Sequence, residues 1–178
     1  MTQYARPDSD DDIGNWQSNS MGGDLYEAID EASGGDDHIT VMDDGMGSAE
    51  PASFTLSNVT DPADHTNHKV VVNAYMDDSE ATSINLNINL KQGSTSLKNQ
   101  DFTVAYSDGD GTDYTMVLAS TDIDTELTNY NDLNLLITVT DTSAGGTIST
   151  YVNRAWFECP DVSAAVTTSP AFLLFVDY

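Results

Sequence analysis

The sequence predicts an all-β protein: an antiparallel β-sandwich, jelly-roll-like, with about eight strands and short helical turns. Three observations carry that prediction. Apolar residues alternate with polar ones over several stretches, most plainly at Ile84-Asn85-Leu86-Asn87-Ile88-Asn89-Leu90. Four aliphatics point one way and three asparagines the other, the pattern of a half-buried strand; a helix would scatter the same aliphatics around its circumference. Turn signals recur between such stretches. Of the 30 acidic residues 24 are Asp, which favours turns and caps over helix interiors.

The 178 residues suit one domain, and 39% hydrophobic residues supply a core. A single cysteine, Cys159, excludes an internal disulfide. Residues 1–48 read as an irregular N-terminal segment packed on or extending from the domain. A helical turn is expected at 24–31, where Leu25 and Ile29 are spaced i, i+4 and Asp24 stands at the cap position. Ile39 and Val41 suggest a short strand.

Residues 49–160 form the sandwich. Phe54 and Leu56 begin the period of two, and Val70, Val72, Ala74 and Met76 continue it. Lys91-Gln92-Gly93-Ser94 is a turn. Phe102, Val104 and Tyr106 alternate, as do Tyr114, Met116 and Leu118, and the intervening Asp108-Gly109-Asp110-Gly111 reads as a hairpin. A capped helical turn is expected at 121–127. Leu133, Leu135, Ile137 and Val139 form one strand, Gly145-Gly146 a turn, and 147–158 another strand. In this last strand both alternate sets contain apolar residues, Val152 and Trp156 against Tyr151, Ala155 and Phe157, so its inward face is undetermined by pattern. Residues 161–178 form a C-terminal tail expected to be a contact segment, in which Phe172, Leu173, Leu174, Phe175 and Val176 contribute to a protein–protein contact.

Charge bounds the partners. Thirty acidic residues against five basic give −25 at pH 7. Nucleic acid and anionic membranes are repelled by such a chain. Salt relieves the self-repulsion, so a saline or marine origin fits, as does a simply very soluble surface protein. No apolar run approaches the ~18 residues of a membrane span. Met1 to Pro7 is polar, so no export signal is expected.

Several short motifs occur in order. They are Arg6-Pro7-Asp8-Ser9-Asp10, Gly14-x-Trp16, Leu25-Tyr26-x-Ala28-Ile29-Asp30-Glu31, Asp36-Asp37-x-Ile39, Asp61-Pro62, Tyr130-x-Asp132-Leu133, and Ala155 through Pro160. Over residues 4–160 the series resembles a β-sandwich virion module of tailed phages and marine viruses, a capsid decoration or surface protein. The resemblance implies a structural protein without a catalytic motif, made in the host cytoplasm and carried on the virion surface. Its partners would be the major capsid protein or another virion protein and further copies of itself, with a trimer expected.

Candidate chemistry is sparse. Asp108, Asp110 and Asp113 form an acidic cluster whose glycines would let the turn wrap Ca²⁺; a plain hairpin explains the same glycines. Asp8, Asp10 and Asp12 alternate like the start of a calcium loop, but Ile13 and Asn19 stand where Gly and Glu are required. His65 and His68 lack a local fourth ligand for zinc. Cys159, beside Pro160 on an apolar strand, reads as an inert buried thiol. Trp16 and Trp156, with Tyr106, Tyr114 and Tyr151, are candidates for stacking on sugars; the competing reading places Trp156 in the core and Trp16 as an anchor of the N-terminal segment.

Two functions follow. The first is a non-enzymatic decoration or cement module on the outer surface of a phage capsid. The alternative is a carbohydrate-binding adhesin module of a phage spike or fibre. Solvent-exposed aromatics lining a concave face would favour the alternative; a flat, apolar or hydrogen-bonding underside would favour the first.

Overall fold

A computed structural model describes residues 2–19, 23–32, 37–43, 48–77, 84–104, 106–107, 111–141 and 148–162. Eleven strands lie in this part of the chain: β1 (Thr2–Ala5), β2 (Pro7–Asp12), β3 (Gln17–Ser18), β4 (Ile39–Asp43), β5 (Ala49–Leu56), β6 (His68–Met76), β7 (Ile84–Gln92), β8 (Thr95–Val104), β9 (Thr112–Leu118), β10 (Leu133–Asp141) and β11 (Ile148–Pro160). Helix α1 spans Ser120–Glu126 and a 3-10 turn spans Tyr26–Ala28. All the strand ladders are antiparallel. Among the described residues no helix is long and apolar enough to cross a membrane.

One sheet runs β3-β4-β11-β6-β9, with β1 paired to the far end of β11; the other runs β2-β5-β10-β7-β8. The chain crosses between sheets at nearly every step from β4 to β11, which gives a jelly roll. The inner faces are the predicted ones. Ile84, Leu86, Ile88 and Leu90 of β7 are fully buried, as are Leu133, Leu135, Ile137 and Val139 of β10, and they meet Val70, Val72 and Ala74 of β6. Each such aliphatic contributes roughly 1.5–3 kcal/mol by leaving water.

The N-terminal segment departs from the irregular structure expected of it. It contributes β1 and β3 to one sheet and β2 to the other, and Ala5, Trp16, Leu25, Ala28 and Ile29 enter the core. β2 shows no alternation because it is a bulged edge strand of sequence PDSDDD, held by backbone bonds to β5, with Asp8, Asp11 and Asp12 exposed. The 3-10 turn is capped from a distance: Asp10 accepts from the N–H of Leu25 (2.8 Å) and of Tyr26 (2.9 Å), a task expected of Asp24. Helix α1 starts with the Asp122 carboxylate accepting from the Ala119 N–H (2.8 Å).

A second departure concerns Asp108 to Gly111, expected to close a hairpin. β8 pairs with β7, and β9 pairs with β6 in the opposite sheet, so the chain passes between layers here. Gly111 is required for another reason. Its φ is +64°, and a Cβ there would overlap Asn73 Oδ1. The Gly93 turn does join β7 to β8 as a hairpin.

Strand β11 carries the third finding. A bulge between Val152 and Arg154 shifts its register against β6. Before it the odd-numbered Tyr151 faces out; after it the even-numbered Arg154, Trp156 and Glu158 do, while Ala155, Phe157 and Cys159 are buried. One extra residue thus gives a one-sided strand two apolar sets.

Candidate functional site

The outer face of the six-stranded sheet is built from β11 and its neighbours. In the register, Tyr151 lies between Thr40 of β4 and Tyr75 of β6, Arg154 beside Asn73, Trp156 beside Val71, and Glu158 between Lys69 and Tyr4 of β1. Residues directly opposite in an antiparallel pair share a face. Aromatic rings therefore run along this surface: Tyr75 and Tyr151 at one end, Trp156 further along, Tyr4 beyond it. Tyr4 is 48% exposed, and Met42 and Val117 at the margins are 63% and 59% exposed.

The rings are organised. Tyr75 and Tyr151 stack with centroids 4.6 Å apart and planes 7° from parallel, and His38 meets Tyr151 edge-on at 5.0 Å. The Tyr151 hydroxyl donates to Asp77 (2.9 Å). Burial holds the phenols of Tyr75 and Tyr151 above the ordinary tyrosine value, helped at Tyr151 by the Asp77 bond, so both remain O–H donors at neutral pH. The Arg154 guanidinium lies 5.6 Å from the Trp156 ring centre, and Arg6 lies 5.9 Å from the Tyr4 ring centre.

Charge on this face is balanced. Lys69 pairs with Glu158 (3.0 Å) and Arg154 with Asp113 (3.1 Å). Asn73 donates to Asp113 (2.6 Å) and accepts from Asn153 (3.0 Å), which fixes the Asp113 carboxylate under the guanidinium. Two hollows flank the run. One of about 430 Å³ is lined by Gly14, Asn15, Trp16, Gln17, Thr40 and Met42; the other, about 280 Å³, by Thr2, Asn67, Glu158, Cys159 and Pro160. The outer face of the other sheet differs: it shows Asn85, Asn87 and Asn89 of β7 beside Thr140, Thr138 and Leu136 of β10.

The predicted candidates separate. Trp156 faces outward on β11. Trp16 does not serve as a stacking surface: it is 3% exposed and its indole N–H donates to the Glu50 carbonyl (3.1 Å), so it anchors the N-terminal segment. Tyr114 is buried against Phe102, and Tyr106, 46% exposed, lies past the end of β8 and bridges Met76 of β6. Asp113 is engaged by Arg154 and Asn73, while Asp108 and Asp110 lie outside the described residues, as do Phe172, Leu173, Leu174, Phe175 and Val176. Among the described residues no group of three His, Cys, Asp or Glu side chains is placed to hold a metal. His65 contacts Asp124 on α1, and buried His68 is bonded to the Tyr130 hydroxyl (2.9 Å) and the Thr66 carbonyl (3.0 Å). Burial pushes the Cys159 thiol up to about 11, which leaves it protonated and inert. Tyr4, Tyr75 and His38 were missed by sequence reasoning. The alternation of β6 puts Tyr75 on its outward face, but the pairing that brings Tyr75, Tyr4 and His38 beside β11 joins distant segments and is not in the pattern.

No protein-family description matches the sequence, and no curated protein matches it. Similar solved structures include TmCBM61 in complex with beta-1,4-galactotriose, at 7% identity and a TM-score of 0.44, covering 84% of this chain and 91% of that one. A xylan-binding module, CBM15, gives 16% identity and a TM-score of 0.35 over 80% of this chain and 93% of that one. A mutant of Xylanase10C from Cellvibrio japonicus in complex with xylopentaose gives 15% identity and a TM-score of 0.34; the match covers 81% of this chain and 28% of the xylanase chain. Each TM-score lies below 0.5, so the functional reading rests on the face itself.

Proposed function

We propose that the outer face of the six-stranded sheet binds carbohydrate and that the protein acts as a non-catalytic glycan-binding module. The observation that carries this reading is the row of outward aromatic rings, Tyr75 with Tyr151, then Trp156, then Tyr4, interleaved with hydrogen-bonding side chains. A sugar ring presents C–H groups to an aromatic surface and hydroxyls to flanking polar groups, so it needs both kinds of partner together. A protein partner fits less well. The centre of a protein interface is depleted of charged residues, whereas here the Lys69–Glu158 and Arg154–Asp113 pairs sit among the rings and would have to be desolvated. A glycan leaves them partly hydrated and uses them as hydrogen-bond partners. A glycan-binding module of a phage spike or fibre unites this face with the virion resemblance of residues 4–160.

The test is affinity electrophoresis through gels containing plant, algal and bacterial polysaccharides. Retardation by at least one polysaccharide is expected, with loss in Trp156→Ala and in Tyr151→Ala while circular dichroism shows both variants folded. Folded variants retarded as strongly as the parent would remove the face from the account.

A further inference from the structure

We infer that the ligand of this face is an uncharged, extended glycan chain laid along β11, an inference that rests on the carbohydrate-binding reading above. The first argument is the path. Tyr151 and Trp156 are five residues apart on one strand, about 15 Å at the usual rise per residue less the bulge. That separation spans several sugar rings. A hollow of about 430 Å³ opens beside Thr40, the register partner of Tyr151, and another of about 280 Å³ lies at Glu158 and Pro160. The aromatic rings thus lie in series along β11 with the larger hollow to one side, over β3 and β4, and are not gathered around one enclosed pocket.

The second argument is charge. Two cations on the face, Lys69 and Arg154, are already neutralised by Glu158 and Asp113, and a third, Arg6 over the Tyr4 ring, donates to the Asp30 carbonyl (2.8 Å). The whole chain carries −25, and a uronic acid or sulfated glycan would approach against that field, where two of the three cations it could meet already hold carboxylates. A neutral chain meets no such barrier.

The third argument is unmet hydrogen bonding. The buried Trp156 Nε1 and Arg154 Nε atoms have no hydrogen-bond partner. Buried donors are normally satisfied, and an exception calls for an explanation. A ring or hydroxyl oxygen of a bound sugar would accept from either after a small shift of the stacked guanidinium and indole. Trp156 would then report binding directly, since the other tryptophan, Trp16, is buried and already bonded.

The experiment is titration of the full chain with linear neutral oligosaccharides built from xylose, glucose, mannose or galactose, each as disaccharide and hexasaccharide. Oligogalacturonate and oligomannuronate of hexasaccharide length are titrated in parallel, by calorimetry and tryptophan fluorescence, at low and high salt. The expected result is binding of at least one neutral hexasaccharide, at least tenfold weaker binding of its disaccharide, and little effect of salt on the neutral ligand. A fluorescence change should accompany binding and vanish in Trp156→Phe. Preferred binding of the acidic oligosaccharides would overturn the inference and leave carbohydrate binding standing. Equal affinity for disaccharide and hexasaccharide would overturn the extended path. Absence of binding to every oligosaccharide and polysaccharide would overturn the carbohydrate reading and this inference with it.

Discussion

Replacing Gly111 by Ala tests how closely the site depends on the fold. Gly111 holds φ at +64°, and its missing Cβ leaves the space that Asn73 Oδ1 occupies. Asn73 is buried and bonded on both sides, accepting from Asn153 and donating to Asp113. An alanine brings two costs. The left-handed conformation costs about 1–2 kcal/mol for a residue with a Cβ. Displacing Asn73 leaves buried polar groups without partners, at about 1–3 kcal/mol. The expected loss is about 2–5 kcal/mol, a fall in melting temperature of roughly 4–20 °C for a chain of this size. Gly93→Ala is the control. Its φ is +54°, and its Cβ would only touch Asp132 Oδ2 at 3.3 Å, so it should lose the backbone part alone. Thermal melts followed by circular dichroism compare the two. Equal losses in both variants would refute the argument that the Asn73 network adds to the backbone strain.

Two further predictions concern caps and pH. Asp10→Ala removes the acceptor for two backbone N–H groups of the 3-10 turn and should cost about 1–2 kcal/mol, measured by denaturant unfolding, whereas Asp24→Ala should cost nothing measurable; the reverse ranking would contradict the cap assignment. Burial holds the His68 imidazole below the ordinary histidine value, so the unfolded chain takes up a proton near pH ~6.5 that the folded chain refuses. That contribution to stability is complete above this pH and declines as pH falls below it. A nuclear magnetic resonance titration of the His68 ring should give a midpoint below that of a free imidazole, and a midpoint at or above it would show that the buried ring accepts charge in place.

Much of the fold was legible in the sequence because strands with one dry face must alternate. β7 and β10 each bury one face and expose the other, and their patterns read without ambiguity. Three things were not legible, each for a physical reason. β1 to β3 are short or edge strands whose stability comes from backbone pairing to β5, β4 and β11, and backbone pairing leaves no side-chain pattern. Gly111, before β9, lies where the chain crosses between sheets, and a crossing and a hairpin make similar demands on turn residues. The bulge in β11 inverts its parity midway, so Tyr151 and Trp156 fell into opposite sets although both face outward. The site suffered most from this. Trp156 and Tyr151 were visible as candidates, but the row they form with Tyr75 and Tyr4 exists only through pairing between distant segments.

The most direct test of the central claim is a nuclear magnetic resonance titration of the isotope-labelled protein with a neutral polysaccharide hydrolysate that retards it in gels. The account predicts that the outward residues of β6 and β11, Tyr75, Tyr151, Arg154 and Trp156 above all, shift on binding, while Asn85, Asn87 and Asn89 on the opposite sheet do not. Shifts centred on the asparagine face, with the aromatic face unchanged, would contradict it.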